Sequence, residues 1–172
     1  MKEYIIIDGY NVINAWSNLK EISEGSLEEA RNTLIDKMTE YHSYTGVEVT
    51  IVFDAYRVKG AKAKKDKINN VEIVFTKKNQ TADSYIEMMV EQLAKDKRNI
   101  VRVVTSDLAE QQVILGSGGI RVLPRELKFQ YEQMKTKIEK KMEEVERKRM
   151  NLGDRIDAGV LEVLEKWRRQ DG

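Results

Sequence analysis

Three aspartates in this chain each close a short apolar run. Tyr4-Ile5-Ile6-Ile7 ends in Asp8, Val49-Thr50-Ile51-Val52-Phe53 ends in Asp54, and Ile100-Val101-Arg102-Val103-Val104-Thr105-Ser106 ends in Asp107. A β-branched run with an acid at its C-terminal tip reads as a buried parallel strand. In open α/β sheets, ligands bind outside that tip. A fourth acid, Asp83, follows Thr81-Ala82 and falls in the first turn of a helix, where the helix dipole favours a carboxylate. Taken singly, Asp83 could be an ordinary first-turn acid, and Asp8 and Asp107 could cap the elements that follow them. Glu87 shares the helical face of Asp83 and reads equally as an outer ligand or a solvated surface acid. Taken together, clustered carboxylates repel one another unless a cation neutralises them. Hard oxygen ligands suit Mg²⁺ or Mn²⁺. The chemistry such a site performs beside a basic segment is phosphodiester hydrolysis.

A basic segment is present. Arg57, Lys59, Lys62, Lys64, Lys65, Lys67, Lys77 and Lys78 face only Asp66 and Glu72 between positions 57 and 78, a local charge of +6 in a chain whose net charge is +1. Such a segment on an otherwise acidic body suits a polyanionic partner, although a solvated lysine loop has the same composition. Zero Cys removes disulfides and thiolate chemistry and fits a reducing cytoplasm. With one His, His42, a His-ligated zinc site or a serine–histidine triad has little to draw on. No apolar stretch approaches the roughly 20 residues of a membrane span, and the charged N-terminus does not read as a signal peptide.

The elements that must position these residues alternate. After the first strand, Ser26-Leu27-Glu28-Glu29 is a capping box, and Leu27, Ala30, Leu34, Met38 and Tyr41 lie on one face of the helix it opens. Gly46 ends that helix and the second strand follows. Residues from Arg57 to Asn70 show no apolar period and read as a loop. Val71 to Phe75 is a third strand, and Thr81 caps a helix carrying Tyr85, Ile86, Met89, Val90 and Leu93. A fourth strand from Ile100, a short helix over about 108–115 and a fifth strand at 120–123 complete the series. Alternation of this kind predicts βαβ units and a mostly parallel five-stranded sheet with helices on both faces. In the common doubly wound order 3-2-1-4-5, the first and fourth strands are neighbours, and Asp54 lies one strand away. From about Arg125 a charged helix carries a narrow apolar seam; Asn151-Leu152-Gly153 reads as its break, predicting an αα-hairpin over 125–172 that packs on the sheet domain or on itself, with a docking surface for a partner as the alternative.

Ile7-Asp8-Gly9-Tyr10-Asn11, Phe53-Asp54, Thr81-Ala82-Asp83 and Thr105-Ser106-Asp107 resemble the four signatures of the NYN domain, a branch of the PIN-like ribonuclease superfamily, and of its YacP-like members in particular. The resemblance spans about residues 3–124. It implies a PIN-like three-layer α/β/α domain over 1–124, a C-terminal helical extension over 125–172, and a metal-dependent endoribonuclease. It carries the family's acids onto Asp8, Asp83 and Asp107 as ligands of Mg²⁺ or Mn²⁺, with Asp54 in support. Asn11 matches an asparagine that orients an acid or contacts phosphate. Association of YacP-like proteins with ribosomes implies translated mRNA as substrate, with Arg57, Lys59, Lys62, Lys64, Lys65, Lys67, Lys77 and Lys78 as contacts for its backbone. One departure stands out: many PIN nucleases place a further acid two residues beyond the last strand-end aspartate, and that position is Ala109. A non-catalytic RNA- or ribosome-binding module on the same scaffold is the alternative. A haloacid-dehalogenase-type phosphatase needs a second Asp where Tyr10 stands, and a dinucleotide-binding enzyme needs a glycine fingerprint that is missing. Tyr10 could stack on a base or pack beside the strand; Thr105 and Ser106 could donate to phosphate or cap the next helix.

Overall fold

The computed structural model describes residues 1–55 and 64–170. Its centre is a six-stranded sheet in the order β3-β4-β2-β1-β5-β6. The strands are β1 (Glu3–Asp8), β2 (Glu48–Phe53), β3 (Lys64–Ile68), β4 (Val71–Phe75), β5 (Ile100–Val104) and β6 (Ile120–Val122). All pair in parallel except β3, which runs antiparallel to β4. The helices are α1 (Gly9–Ala15), α2 (Ser17–Gly25), α3 (Leu27–Thr45), α4 (Ala82–Ala94), α5 (Leu108–Gly116) and α6 (Pro124–Gln170).

The central strands are apolar on both faces because helices cover both. Alternation sends Ile6, Val52, Val74, Val101 and Val103 to one side, where they pack with Ala82, Ile86 and Val90 of α4 and Ile114 of α5. The opposite side carries Ile5, Ile7, Ile51, Phe53 and Ile73, all buried, as are Leu34 and Met38 of α3. There Phe53 stacks on Phe75 and meets the ring of Tyr10 at 5.1 Å. Tyr10 therefore packs beside the strand, and its hydroxyl accepts from Arg31 at 3.3 Å.

Two sequence expectations change. The segment read as a loop contains β3, so among the described residues the sheet has six strands rather than five. Its residues, Lys-Lys-Asp-Lys-Ile, carry no apolar alternation because β3 is an exposed edge strand with nothing to bury. The overlooked signal was the pair Asn69-Asn70, both at positive φ (48° and 68°), which closes a two-residue hairpin between Ile68 and Val71. The second change is α6, a helix of 47 residues that passes through Asn151-Leu152-Gly153 without a break. Gly153 takes no left-handed conformation there, and a glycine inside a helix costs only about 1 kcal/mol relative to alanine.

The chain divides into two compact units, 1–131 and 132–172. The first turns of α6 belong to the first unit. Buried Trp16 donates its indole N–H to the Pro124 carbonyl at 2.8 Å, Leu127 is fully buried, and the Tyr131 hydroxyl donates to Glu40 at 3.3 Å. The second unit is helical as far as Gln170. No described helix is long and apolar enough to cross a membrane.

Candidate metal centre

The C-terminal edge of the parallel strands gathers acids from three elements. Asp8 closes β1 and is buried, and its Oδ1 accepts the Asn11 N–H at 3.4 Å as α1 begins. Gly9 follows because the Phe53 ring lies where a Cβ would be, 2.3 Å from its Cε1. Asp83 sits in the first turn of α4, whose N-terminus is capped by Thr81 accepting from the Ser84 N–H at 3.1 Å. The third acid is Glu110, in the first turn of α5. One carboxylate oxygen from each of Asp8, Asp83 and Glu110 lies within 4.8 Å of the others.

Glu110 was absent from the sequence expectation, which placed Asp107 in this role. In the structure Asp107 is instead the N-cap of α5, and its Oδ1 accepts from the Ala109 N–H at 2.9 Å. It does not belong to the group of three. Asp107 and Glu110 stand in the spacing of a capping box, in which the glutamate would reach back to the N-cap N–H. Here that N–H donates instead to the Thr105 hydroxyl at 3.1 Å. Fully buried Thr105 thus supplies the return bond and leaves Glu110 to turn toward Asp8 and Asp83. The acid missing at position 109 is found one residue later. A capping-box glutamate reads as local structure, so the sequence offered only that ambiguous signal.

Both carboxylate oxygens of Glu110 are shielded from solvent. Burial above all, then the adjacent Asp83 carboxyl, push its pKa up to about 8; the Thr105 hydroxyl opposes this and the charge of Asp8 adds to it. A shielded carboxylate facing two others needs either a proton or a cation. Three hard oxygen donors at one point fit a divalent cation with coordination positions left open.

Asp8 and Asp83 also line a cleft of about 360 Å³, together with Asn11, Asn14, Asp54 and Ser106. Four of the expected site residues, Asp8, Asn11, Asp54 and Asp83, therefore share one cavity. Asn11 fastens its walls: its Oδ1 accepts from the Ser106 N–H at 3.0 Å and from the Ser106 hydroxyl, tying α1 to the end of β5. That contact gives Ser106 a structural partner, as Asp107 gives Thr105.

The basic residues are spread more widely. Lys77 and Lys78 are exposed in the β4–α4 connection, beyond the C-terminal end of β4 and so at the acidic edge. Lys64 pairs in register with Phe75, the last residue of β4, whereas Lys67 pairs with Glu72 toward the far edge. Lys64 bridges Asp66 at 3.4 Å and Lys65 bridges Glu72 at 2.9 Å. Lys65 and Lys67 line a separate cavity with Tyr4 and Glu48, near the strands' opposite ends. Arg57, Lys59 and Lys62 lie outside the described residues. His42 brings its Nδ1 within 2.7 Å of the Val47 carbonyl, a half-buried contact that closes the turn after α3.

A mostly parallel α/β sheet with acids converging at its C-terminal edge defines a fold of the PIN-like type. The chain belongs to the YacP-like NYN domain family, which matches it over residues 5–169. It is 42% identical over 169 residues to the uncharacterized protein YacP of Bacillus subtilis (strain 168), covering 98% of each chain. The crystal structure of Rae1 (YacP) from Bacillus subtilis matches with a TM-score of 0.74 and 42% identity, over 98% of this chain and 95% of that one. A mutant of the same protein matches with a TM-score of 0.74 and 40% identity, over 84% of both chains. Family and acid cluster alike are compatible with a nuclease of the PIN-like superfamily.

Proposed function

We propose that this protein is a metal-dependent endoribonuclease that hydrolyses phosphodiester bonds of single-stranded RNA, with mRNA on the translating ribosome as its substrate. The observation that carries the reading is the approach of Asp8, Asp83 and Glu110 to within 4.8 Å at the mouth of an open cleft. These three side chains would hold the cation, Mg²⁺ or Mn²⁺. When bound, it supplies a water of lowered pKa and stabilises charge developing on the phosphate.

The chain's own groups do the remainder. Asn11, through Ser106, holds α1 against the end of β5 and so fixes Asp8 and the α5 entry relative to each other. Asp54, directly after β2, lines the same cleft. Thr105, by capping α5 in place of Glu110, keeps Glu110 aimed into the cluster. Lys77 and Lys78 stand at the acidic edge and suit the approaching backbone as charge contacts indifferent to sequence.

The decisive assay incubates wild-type, Asp8→Asn and Glu110→Gln proteins with defined single-stranded RNA, with and without ribosomes, in Mn²⁺ and in EDTA. Cleavage is expected only from the wild type in Mn²⁺. Undiminished cleavage by Asp8→Asn would remove the reading. RNA or ribosome binding that survives both substitutions, with no cleavage by any protein, would select the non-catalytic module instead.

A further inference from the structure

A second cavity, of about 210 Å³, opens between α4 and α5. It shares Asp83 with the main cleft and Glu110 with the acid cluster, so the two cavities meet at the metal centre. Its walls are Ile86 of α4 and Ala109, Val113 and Ile114 of α5. Two further carboxylates line it, Glu87 and Asp107, and none of the described residues lining it is basic. We propose that this cavity receives one nucleobase of the RNA strand, adjacent to the phosphate at the metal centre, and that it selects guanine. The proposal rests on the nuclease reading above and assigns its base preference.

The chemistry follows from what the cavity offers. Apolar walls accept an aromatic face, and the carboxylates among the described lining residues repel a phosphate. Proteins that read single-stranded RNA splay bases into such pockets and bond their Watson–Crick edges. Ionised carboxylates are acceptors only. Guanine presents two adjacent donors on that edge, N1–H and the N2 amino group, which match the two oxygens of one carboxylate. Adenine and cytosine place an acceptor nitrogen beside their amino donor, and uracil sets its single N–H between two carbonyls, so each brings a lone pair against the carboxylate. Glu87 is exposed and not engaged in the acid cluster, which makes it the reading group. Asp107 caps α5 through Oδ1, which uses only part of the acceptor capacity of its carboxylate.

The test measures fluorescence anisotropy of labelled octauridylate and of the same octamer carrying one internal guanosine, inosine or adenosine. It is run in Ca²⁺, a hard cation that carboxylates bind, on the wild type, Glu87→Gln and Val113→Trp. Val113 is 42% exposed, so the indole can fill the cavity without entering the core, and thermal melts check that each variant folds. In the wild type one guanosine should tighten binding about tenfold over octauridylate, the discrimination expected of a good bidentate contact. Inosine, which lacks the N2 amino group, should lose most of that gain, and adenosine should show none. The guanosine-to-uridine ratio should fall toward one in both variants. A ratio of one in the wild type, or a ratio preserved in both variants, overturns the proposal. The same RNAs in Mn²⁺ separate the two readings: cleavage without guanosine preference removes the pocket and keeps the nuclease, and preference without cleavage does the reverse.

Discussion

Glu110 is the residue on which the site turns. Its carboxyl holds a proton up to about pH 8 in the folded chain without metal, against an ordinary value of 4.5. Folding therefore favours the protonated form, and this contribution to stability is complete below about pH 4.5 and lost as pH rises toward 8. In EDTA the melting temperature should fall across that window; saturating Mn²⁺ should cancel the fall, because binding displaces the proton. A melting temperature in EDTA that climbs between these pH values would contradict the assignment. Glu110→Gln and Asp107→Asn separate ligand from cap. The first should weaken Mn²⁺ by more than the roughly 10–100-fold that loss of an outer partner costs. The second should leave Mn²⁺ affinity nearly unchanged, since Asn caps helices as well as Asp. Isothermal titration with Mn²⁺ reads both.

At the scale of elements, the joint between β1 and α1 leaves no room for a side chain at position 9. The Phe53 ring occupies the space a side chain at position 9 would need, and Phe53 is itself locked between Tyr10 and Phe75. Gly9→Ala should cost about 1–3 kcal/mol in urea unfolding, as overpacking does, and should displace Asp8 enough to weaken Mn²⁺ binding as well. The acids on this frame differed in how far sequence could reveal them. Asp8 and Asp54 were legible because β-branched runs announce strands whose tips must converge at one edge. Asp83 was legible because Thr81 marks a helix start. Glu110 was hidden because its spacing from Asp107 has a sufficient local explanation, and only the Thr105 hydrogen bond cancels it. The strand β3 was hidden for the opposite reason: hydrophobic patterning reports burial, and an exposed edge strand has none to report. The continuity of α6 through Gly153 likewise turns on helical context that a single glycine does not override.

Across the whole molecule, charge is arranged by edge rather than by total. The acids occupy the C-terminal edge of the sheet with Lys77 and Lys78 beside them, while Lys65 and Lys67 line a cavity near the other end. RNA affinity should consequently respond to Lys77→Glu and Lys78→Glu more than to Lys67→Glu. Each lost phosphate contact should flatten the slope of log affinity against log salt by about 0.7. Equal slopes in all three variants would place the RNA path elsewhere. The lysine-rich strand has a consequence of its own. As the outermost strand of the sheet, β3 carries backbone groups that could template another chain, and closely set ammonium groups repel any such neighbour. Exchanging Lys64, Lys65 and Lys67 for threonine would keep the hairpin and remove that deterrent. Such a protein should accumulate thioflavin-positive assemblies on standing, which means this strand's charge serves solubility whatever RNA it meets.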